Sequence, residues 1–255
     1  MSTSAHDQVV QRQFGRTAQA YLTSAVHAQG SEFARLRDCL AGHDGARVLD
    51  LGCGAGHVSF QVADLAATVV AYDLSAEMLA VVATTAAEKG LDNIVTERGA
   101  AEALPFADAS FDFVFSRYSA HHWRDLGQAL REVRRVLKPG GQVMLIDVTS
   151  PGQPLLDTWL QAVEMLRDSS HVRDYSPGEW TRQLAEAGLI VTGMTRQRLR
   201  LEFNTWVARM RTPELMQQAI LALQEAVGVE VRDYFEVDAS GSFSTDVMVL
   251  SAVPV

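Results

Sequence analysis

Asp50, Gly52, Gly54 and Gly56 fall at alternate positions in "VLDLGCGAGHVS", residues 48–59. They sit between an apolar run (Val48, Leu49, Leu51) and a renewed apolar periodicity (Val58, Phe60, Val62, Leu65). That order predicts a strand, a glycine turn and a helix, the local apparatus for holding a nucleotide-like ligand. Gly52 and Gly54 permit a tight turn and let a ligand approach the backbone closely. Asp50 adds a negative charge at the mouth, which opposes a pyrophosphate but suits a ligand carrying an ammonium and a sulfonium, as S-adenosylmethionine (SAM) does. The alternative is that Asp50 only ties its own glycine turn together. Asp73 closes a second apolar run, "TVVAYD", 21 residues after Gly52. A carboxylate at that spacing can accept hydrogen bonds from two ribose hydroxyls, and fits NAD and SAM equally. It could also serve as an acidic cap for a helix beginning at Ser75. Leu74 and Met78 would then flank an adenine ring. The third glycine of the NAD fingerprint GxGxxG falls on His57, which counts against NAD.

Further candidates follow the fourth predicted strand, in "SRYSAHHW": Tyr118, His121 and His122. Adjacent histidines point in different directions, so at most one faces a ligand, as a general base; a scaffold role is the alternative. In "SSHVRDYSPGEW", His171 and Arg173 could read an anionic or phenolic acceptor, or belong to a polar loop capped at Ser176. Trp206, with Phe203, could line an apolar acceptor pocket or pack within a lid. The histidines show no HxxxH spacing and no carboxylates cluster, so no metal is expected.

The elements that must position these residues alternate. Strands are predicted over 46–51, 68–73, 93–97, 111–116 and 142–148, with helices over 56–66, 75–89 and 124–137 between them. "LKPGG" (137–141) stops the last helix and turns the chain back into a strand. This pattern predicts an α/β, Rossmann-like, doubly wound and mainly parallel sheet with helices on both faces and the ligand at the carboxyl ends of the strands. Residues 17–41 carry helical spacing. After 150, helices over 154–167, 176–187, 204–211 and 213–227 join strand-like segments near 189–202 and 244–253, completing seven strands. We expect one domain: an N-terminal helical lid (1–45), a cofactor-binding core (46–150) and closing strands with helical lid insertions (151–255).

The bulk composition excludes several classes of function. The 255 residues are 47% hydrophobic and 21% charged, with a net charge of −9. An acidic chain repels nucleic-acid backbones and anionic lipid, so neither nucleic acid nor membrane is expected as a partner. Two cysteines without CxxC spacing, no signal peptide and no apolar run near the roughly 18 residues of a membrane span predict a cytoplasmic protein.

Four ordered motifs, "VLDLGCGAGHVS", "VVAYDLSAEML", "GAAEALPFADASFDFVFSRYSAHHW" and "ALREVRRVLKPGGQVMLIDV", together resemble the class I SAM-dependent methyltransferases of the UbiE-like branch across residues 46–148. The resemblance implies SAM as cofactor, with Asp50, Gly52 and Gly54 beside its methionine part. It implies Asp73 on the ribose, Leu74 and Met78 beside adenine, the backbone near Ser116 at the sulfonium, and Tyr21 closing over the ligand. One departure concerns adenine: relatives read Gly-Asp-Ala-Glu where this chain has Gly99-Ala100-Ala101-Glu102, which leaves the backbone of Ala101 to contact the adenine amino group. The expected activity is methyl transfer to a small-molecule acceptor, releasing S-adenosylhomocysteine. Quinone C-methylation is the acceptor chemistry suggested by analogy, although the Asn-Asp pattern associated with the quinone enzymes is missing near Phe14. An NAD-dependent oxidoreductase and a non-catalytic SAM-binding module are the alternatives.

Overall fold

The computed structural model describes residues 4–15, 30 and 32–255. Its strands are β1 (Arg47–Leu51), β2 (Thr68–Asp73), β3 (Ile94–Arg98), β4 (Phe111–Arg117), β5 (Leu137–Thr149), β6 (Leu189–Leu201) and β7 (Phe243–Pro254). They form one sheet in the order β3-β2-β1-β4-β5-β7-β6. β1 to β5 run parallel, and β7 pairs antiparallel with both β5 and β6. Chain order reverses between β1 and β4, so the carboxyl ends of these two strands open the crevice in which doubly wound sheets bind ligands.

Ten α-helices are present among the described residues: α1 (Ala5–Gly15), α2 (Glu32–Leu40), α3 (His57–Val62), α4 (Ala76–Glu88), α5 (Leu126–Val136), α6 (Pro154–Arg167), α7 (Pro177–Glu186), α8 (Phe203–Met210), α9 (Glu214–Ala226) and α10 (Val229–Phe235). None is long and apolar enough to cross a membrane. α5 shows how the sequence dictates such packing. Leu126, Ala129, Leu130, Val133 and Val136 recur at helical spacing and are all buried, while Asp125 caps the first turn by accepting from the Gln128 N–H. One sheet face is covered by α5 and α7, the other by α2 and α3. A third apolar cluster joins α6, α8, α9 and α10 to β7 around Trp159, Trp206, Phe235 and Phe243.

Three features go beyond what was expected. "LKPGG" does more than turn the chain. Leu137 pairs with Phe111 and Gln142 with Phe113, so the segment is a wide bulge inside β5, with Gly140 at φ +78°. The polar start forms α1, which buries no residue. Ser4 and Asp7 exchange two hydrogen bonds at its beginning, Gln13 donates to the Met210 carbonyl near its end, and Phe14 packs against Ala55 and Met78. α10 was missed because its apolar signal is only Val231 and Phe235, one turn apart. The expected 17–41 helix lies largely outside the described residues; its described end is α2.

Candidate active site

The carboxyl ends of β1, β2 and β4 border a cavity of about 1000 Å³, the solvent at its open mouth included. Asp50, Gly52, Gly54, Asp73, Leu74, Met78, Ala100, Ala101, Tyr118 and His122 all line it. The glycine loop is shaped partly by the protein itself. A side chain at Gly52, which sits at φ +72°, would overlap the Ser119 hydroxyl that receives the indole N–H of Trp123 at 3.1 Å. At Gly54 (φ +50°) the same position is open space, so the loop presents bare backbone to the cavity there.

Each acidic residue makes the structural contacts weighed from the sequence and also lines the cavity. Asp50 is 1% exposed, and its Oδ2 accepts the backbone N–H (2.9 Å) and hydroxyl (2.6 Å) of Ser59, fastening the loop to α3. Burial drives its acidity to a pKa of about 7 against the pull of those hydrogen bonds. Asp73 accepts from the N–H of Gly54 through Oδ2 (2.9 Å) and of Ser75 through Oδ1 (2.8 Å). Ser75 in turn caps α4. Burial raises the Asp73 pKa while the N–H donors oppose the rise. Ala101 is buried, and the Tyr72 hydroxyl donates to the Ala100 carbonyl at 3.1 Å. Ser116 is buried behind the wall, which is built instead from Arg117, Tyr118 and Ser119. Tyr21 lies outside the described residues.

A buried ion pair holds this corner of the site. The Arg117 guanidinium donates to Glu32 at 2.7 and 2.9 Å and lies over the rings of Phe33 (4.6 Å) and Tyr118 (4.5 Å). Tyr118 adopts φ +52°, the left-handed conformation that a bulky residue holds only when its surroundings enforce it.

A second cavity of about 570 Å³ shares Phe14, Tyr118 and His122 with the first. Val148, Leu199, Leu201 and Trp206 supply its apolar surface, and His121, Glu164, Arg167, Asp174 and Arg209 its charge. The adjacent histidines have separate environments. His121 Nδ1 sits 2.5 Å from Asp147 Oδ1. Burial lowers its basicity, but the Asp147 charge and hydrogen bond prevail and place its pKa near 9. His122 Nδ1 donates to the Ser170 carbonyl at 3.1 Å, and burial beside His121 lowers its pKa to about 4.

Trp206 lines the second cavity while also packing edge-on against Phe243. His171 and Arg173 line neither cavity. His171 is buried with Nε2 bonded to Gln161 (2.9 Å), and Arg173 is clamped between Asp157 and Glu179 at 2.9 and 2.8 Å. The sequence reading missed Phe14, Asp147, Glu164, Arg167 and Asp174. Asp147 alone left a signal, as a carboxylate inside the otherwise apolar "VMLIDV".

Residues 49–145 match the family described as "Methyltransferase domain". The chain is 53% identical to protein YafE of Escherichia coli (strain K12) over 201 residues, covering 79% of this chain and 97% of YafE. It is 35% identical to methyltransferase YcgJ of Bacillus subtilis (strain 168), covering 87% of this chain and 88% of YcgJ. The crystal structure of YcgJ superposes with a TM-score of 0.84 over 87% of this chain and 97% of that one, at 32% identity. Geranyl diphosphate C-methyltransferase from Streptomyces coelicolor A3(2), crystallised with S-adenosyl-L-homocysteine, shares the fold at a TM-score of 0.64 and 17% identity, over 99% of this chain and 98% of that one. With the strand order, the glycine loop and these relatives in agreement, the chain belongs to the class I SAM-dependent methyltransferases.

Proposed function

We propose that this protein transfers the methyl group of SAM to a small-molecule acceptor seated in the second cavity. The observation that carries this reading is the meeting of two cavities across Phe14, Tyr118 and His122. One is lined by loop backbone and two carboxylates; the other is an open cleft that mixes apolar and charged side chains and is sized for part of a small molecule.

The first cavity suits SAM on its own residues. Bare backbone at Gly54 and the nearby Asp50 carboxylate, whose ionised form a cation favours, would hold the charged methionine end. The Asp73 oxygens, already oriented by two backbone N–H groups, keep lone pairs for the ribose hydroxyls. Leu74 and Met78 would flank adenine, and the backbone of Ala101 would take the contact left by alanine at 100. When bound, SAM supplies an electrophilic methyl group for in-line displacement. The protein's share is alignment and water exclusion, for which Phe14, Tyr118 and Trp206 form the walls. His121 and His122 are the side chains placed to touch the acceptor. We place the reaction in the cytoplasm.

Calorimetric titration with SAM, S-adenosylhomocysteine and NAD, on wild type and Asp73→Ala, tests the cofactor site. The expected result is binding of both sulfur ligands, weakened about tenfold to a hundredfold by the substitution, or roughly 1.5–3 kcal/mol. Binding of NAD alone would overturn it. The acceptor is tested by incubating the protein with methyl-labelled SAM and a metabolite extract. Label should enter the low-molecular-weight fraction; label found only in macromolecules would reject a small-molecule acceptor.

A further inference from the structure

Tyr72, next to last in β2, bonds to two segments that line the first cavity. Its carbonyl accepts the N–H groups of Gly52 (2.8 Å) and Cys53 (3.0 Å), where the glycine loop begins. Its hydroxyl donates to the Ala100 carbonyl at 3.1 Å, with the Ala103 carbonyl farther off at 3.5 Å. The residue is 1% exposed, and its ring meets Phe106 edge-on at 5.6 Å, which meets Phe111 in the same way at 5.0 Å. Packed so, the hydroxyl has little freedom to leave the carbonyl. Burial, with the Glu97, Glu102 and Glu132 carboxylates nearby, pushes the tyrosine pKa up, so the O–H keeps its proton. Gly99 shows how closely the hydroxyl is fitted. A β-carbon there would lie 2.0 Å from it, so glycine at 99 makes the room it needs.

The Ala100 carbonyl also accepts the Ala103 N–H at 3.2 Å, so both its lone pairs are engaged and the peptide plane is fixed. In a trans peptide the carbonyl and the following N–H point in opposite directions. Holding the Ala100 carbonyl on Tyr72 therefore aims the Ala101 N–H away from it. That N–H donates to no acceptor among the described residues, and Ala101 lines the cavity. Neither alanine side chain can form a hydrogen bond, so these two residues read a ligand by backbone alone.

We propose that Tyr72 is a positioning residue for base selection: its hydroxyl, acting through the Ala100 carbonyl, sets the Ala101 N–H as a fixed donor to the edge of the adenine ring. The proposal rests on the methyltransferase reading above and says how that cofactor site chooses its base. A backbone N–H cannot turn into an acceptor. Adenine offers it an accepting ring nitrogen beside the amino group, whereas hypoxanthine carries an N–H at the same place, so two donors meet there. Discrimination of this kind is large only when the donor is held still, because a mobile one can turn aside from the wrong base. Tyr72 supplies that restraint from outside the segment that makes the contact.

Calorimetry with S-adenosylhomocysteine and S-inosylhomocysteine, which differ only in the base, tests this on wild type, Tyr72→Phe and Gly99→Ala. Wild type should prefer the adenine ligand about a hundredfold. Tyr72→Phe removes one oxygen and keeps the packed ring. It should narrow the preference to about tenfold, chiefly by weakening the adenine ligand. Gly99→Ala pushes the hydroxyl off the carbonyl and should narrow the preference as well; should it not fold, Tyr72→Phe decides alone. A merely structural role for the hydroxyl would weaken both ligands by one factor and leave their ratio at the wild-type value, which would overturn the proposal. A wild type that binds both ligands alike would overturn it too. Failure of wild type to bind S-adenosylhomocysteine at all would instead remove the cofactor reading and this proposal with it.

Discussion

The two cavities meet at one wall but are built in opposite ways. The first is made of backbone: the glycine loop, the ends of β1, β2 and β4, and carboxylates whose oxygens are already engaged by N–H groups. The second is made of side chains from distant segments: Phe14 on α1, His121 after β4, Glu164 and Arg167 on α6, Asp174, and Trp206 and Arg209 on α8. It also leaves the buried Asp174 Oδ2 without a partner. A backbone site is unforgiving of any side chain added to it, yet indifferent to most exchanges around it. A side-chain site can change its ligand by single substitutions without disturbing the fold. The first architecture suits a constant ligand, the second a variable one.

The sharpest way to break this contrast is at the glycine loop. Gly52→Ala must put a β-carbon into Ser119 at a left-handed backbone position. Strain and overlap together should cost about 2–4 kcal/mol, visible as a lower urea midpoint, and should abolish S-adenosylhomocysteine binding in calorimetry. Gly54→Ala meets no protein atom, so only the conformational strain of about 1–2 kcal/mol remains. If both variants unfolded alike, the loop would be constrained by conformation alone and not by the approach of Ser119.

The same contrast explains what could be read from the chain. The parallel core and the first cavity were legible because their residues sit in contiguous motifs whose spacing is set by one strand, one turn and one helix; Asp50, Gly52, Asp73 and Met78 all line one cavity. The second cavity depends on contacts between residues far apart in sequence, which no local periodicity encodes. His171 and Arg173 looked like acceptor-binding residues because a polar cluster precedes a helix. In the fold their partners are Gln161, Asp157 and Glu179. Asp174, directly after Arg173 in the same stretch, is the residue that lines the cavity. The capping box of Ser176 and Glu179 explains the helix start that was foreseen there.

A smaller effect should separate the cavities by pH. His121 has a pKa near 9 in the fold and 6.5 ordinarily, so the stabilisation it gains from Asp147 is complete below pH 6.5 and is lost as pH rises through 9. Asp50, near 7 in the fold against 3.8, loses stability over the earlier window from 3.8 to 7. His122, lowered from 6.5 to about 4, gains stability with rising pH between those values and so opposes Asp50. The arm above pH 7 therefore carries the His121 share alongside that of the buried Asp174 carboxyl, which burial also holds well above its usual range. Asp147→Asn should lower stability by about 1.5–3 kcal/mol at pH 7 and flatten that arm, measured by urea unfolding across pH. NMR titration of the His121 ring should show its pKa falling. An unchanged ring pKa would detach His121 from Asp147.

The smallest expected effect lies outside both cavities. Arg173 is about one-third exposed, and its two carboxylate partners hold the loop from α6 to the start of α7. Ion pairs this open to water contribute little, so Arg173→Gln should cost about 1 kcal/mol or less by urea unfolding. It should leave S-adenosylhomocysteine affinity unchanged in calorimetry, because the residue touches neither cavity. Its one route to the acceptor is indirect. The N–H groups of Val172 and Arg173 donate to the His121 carbonyl at 2.8 and 3.2 Å, so the loop braces the histidine from behind. Those bonds come from backbone and survive the substitution, so the pKa of the His121 ring, followed by NMR titration, should also persist. A shifted His121 ring pKa with intact cofactor binding would show that the clamp, and not the backbone, positions His121, and would extend the second cavity's support beyond the residues that line it.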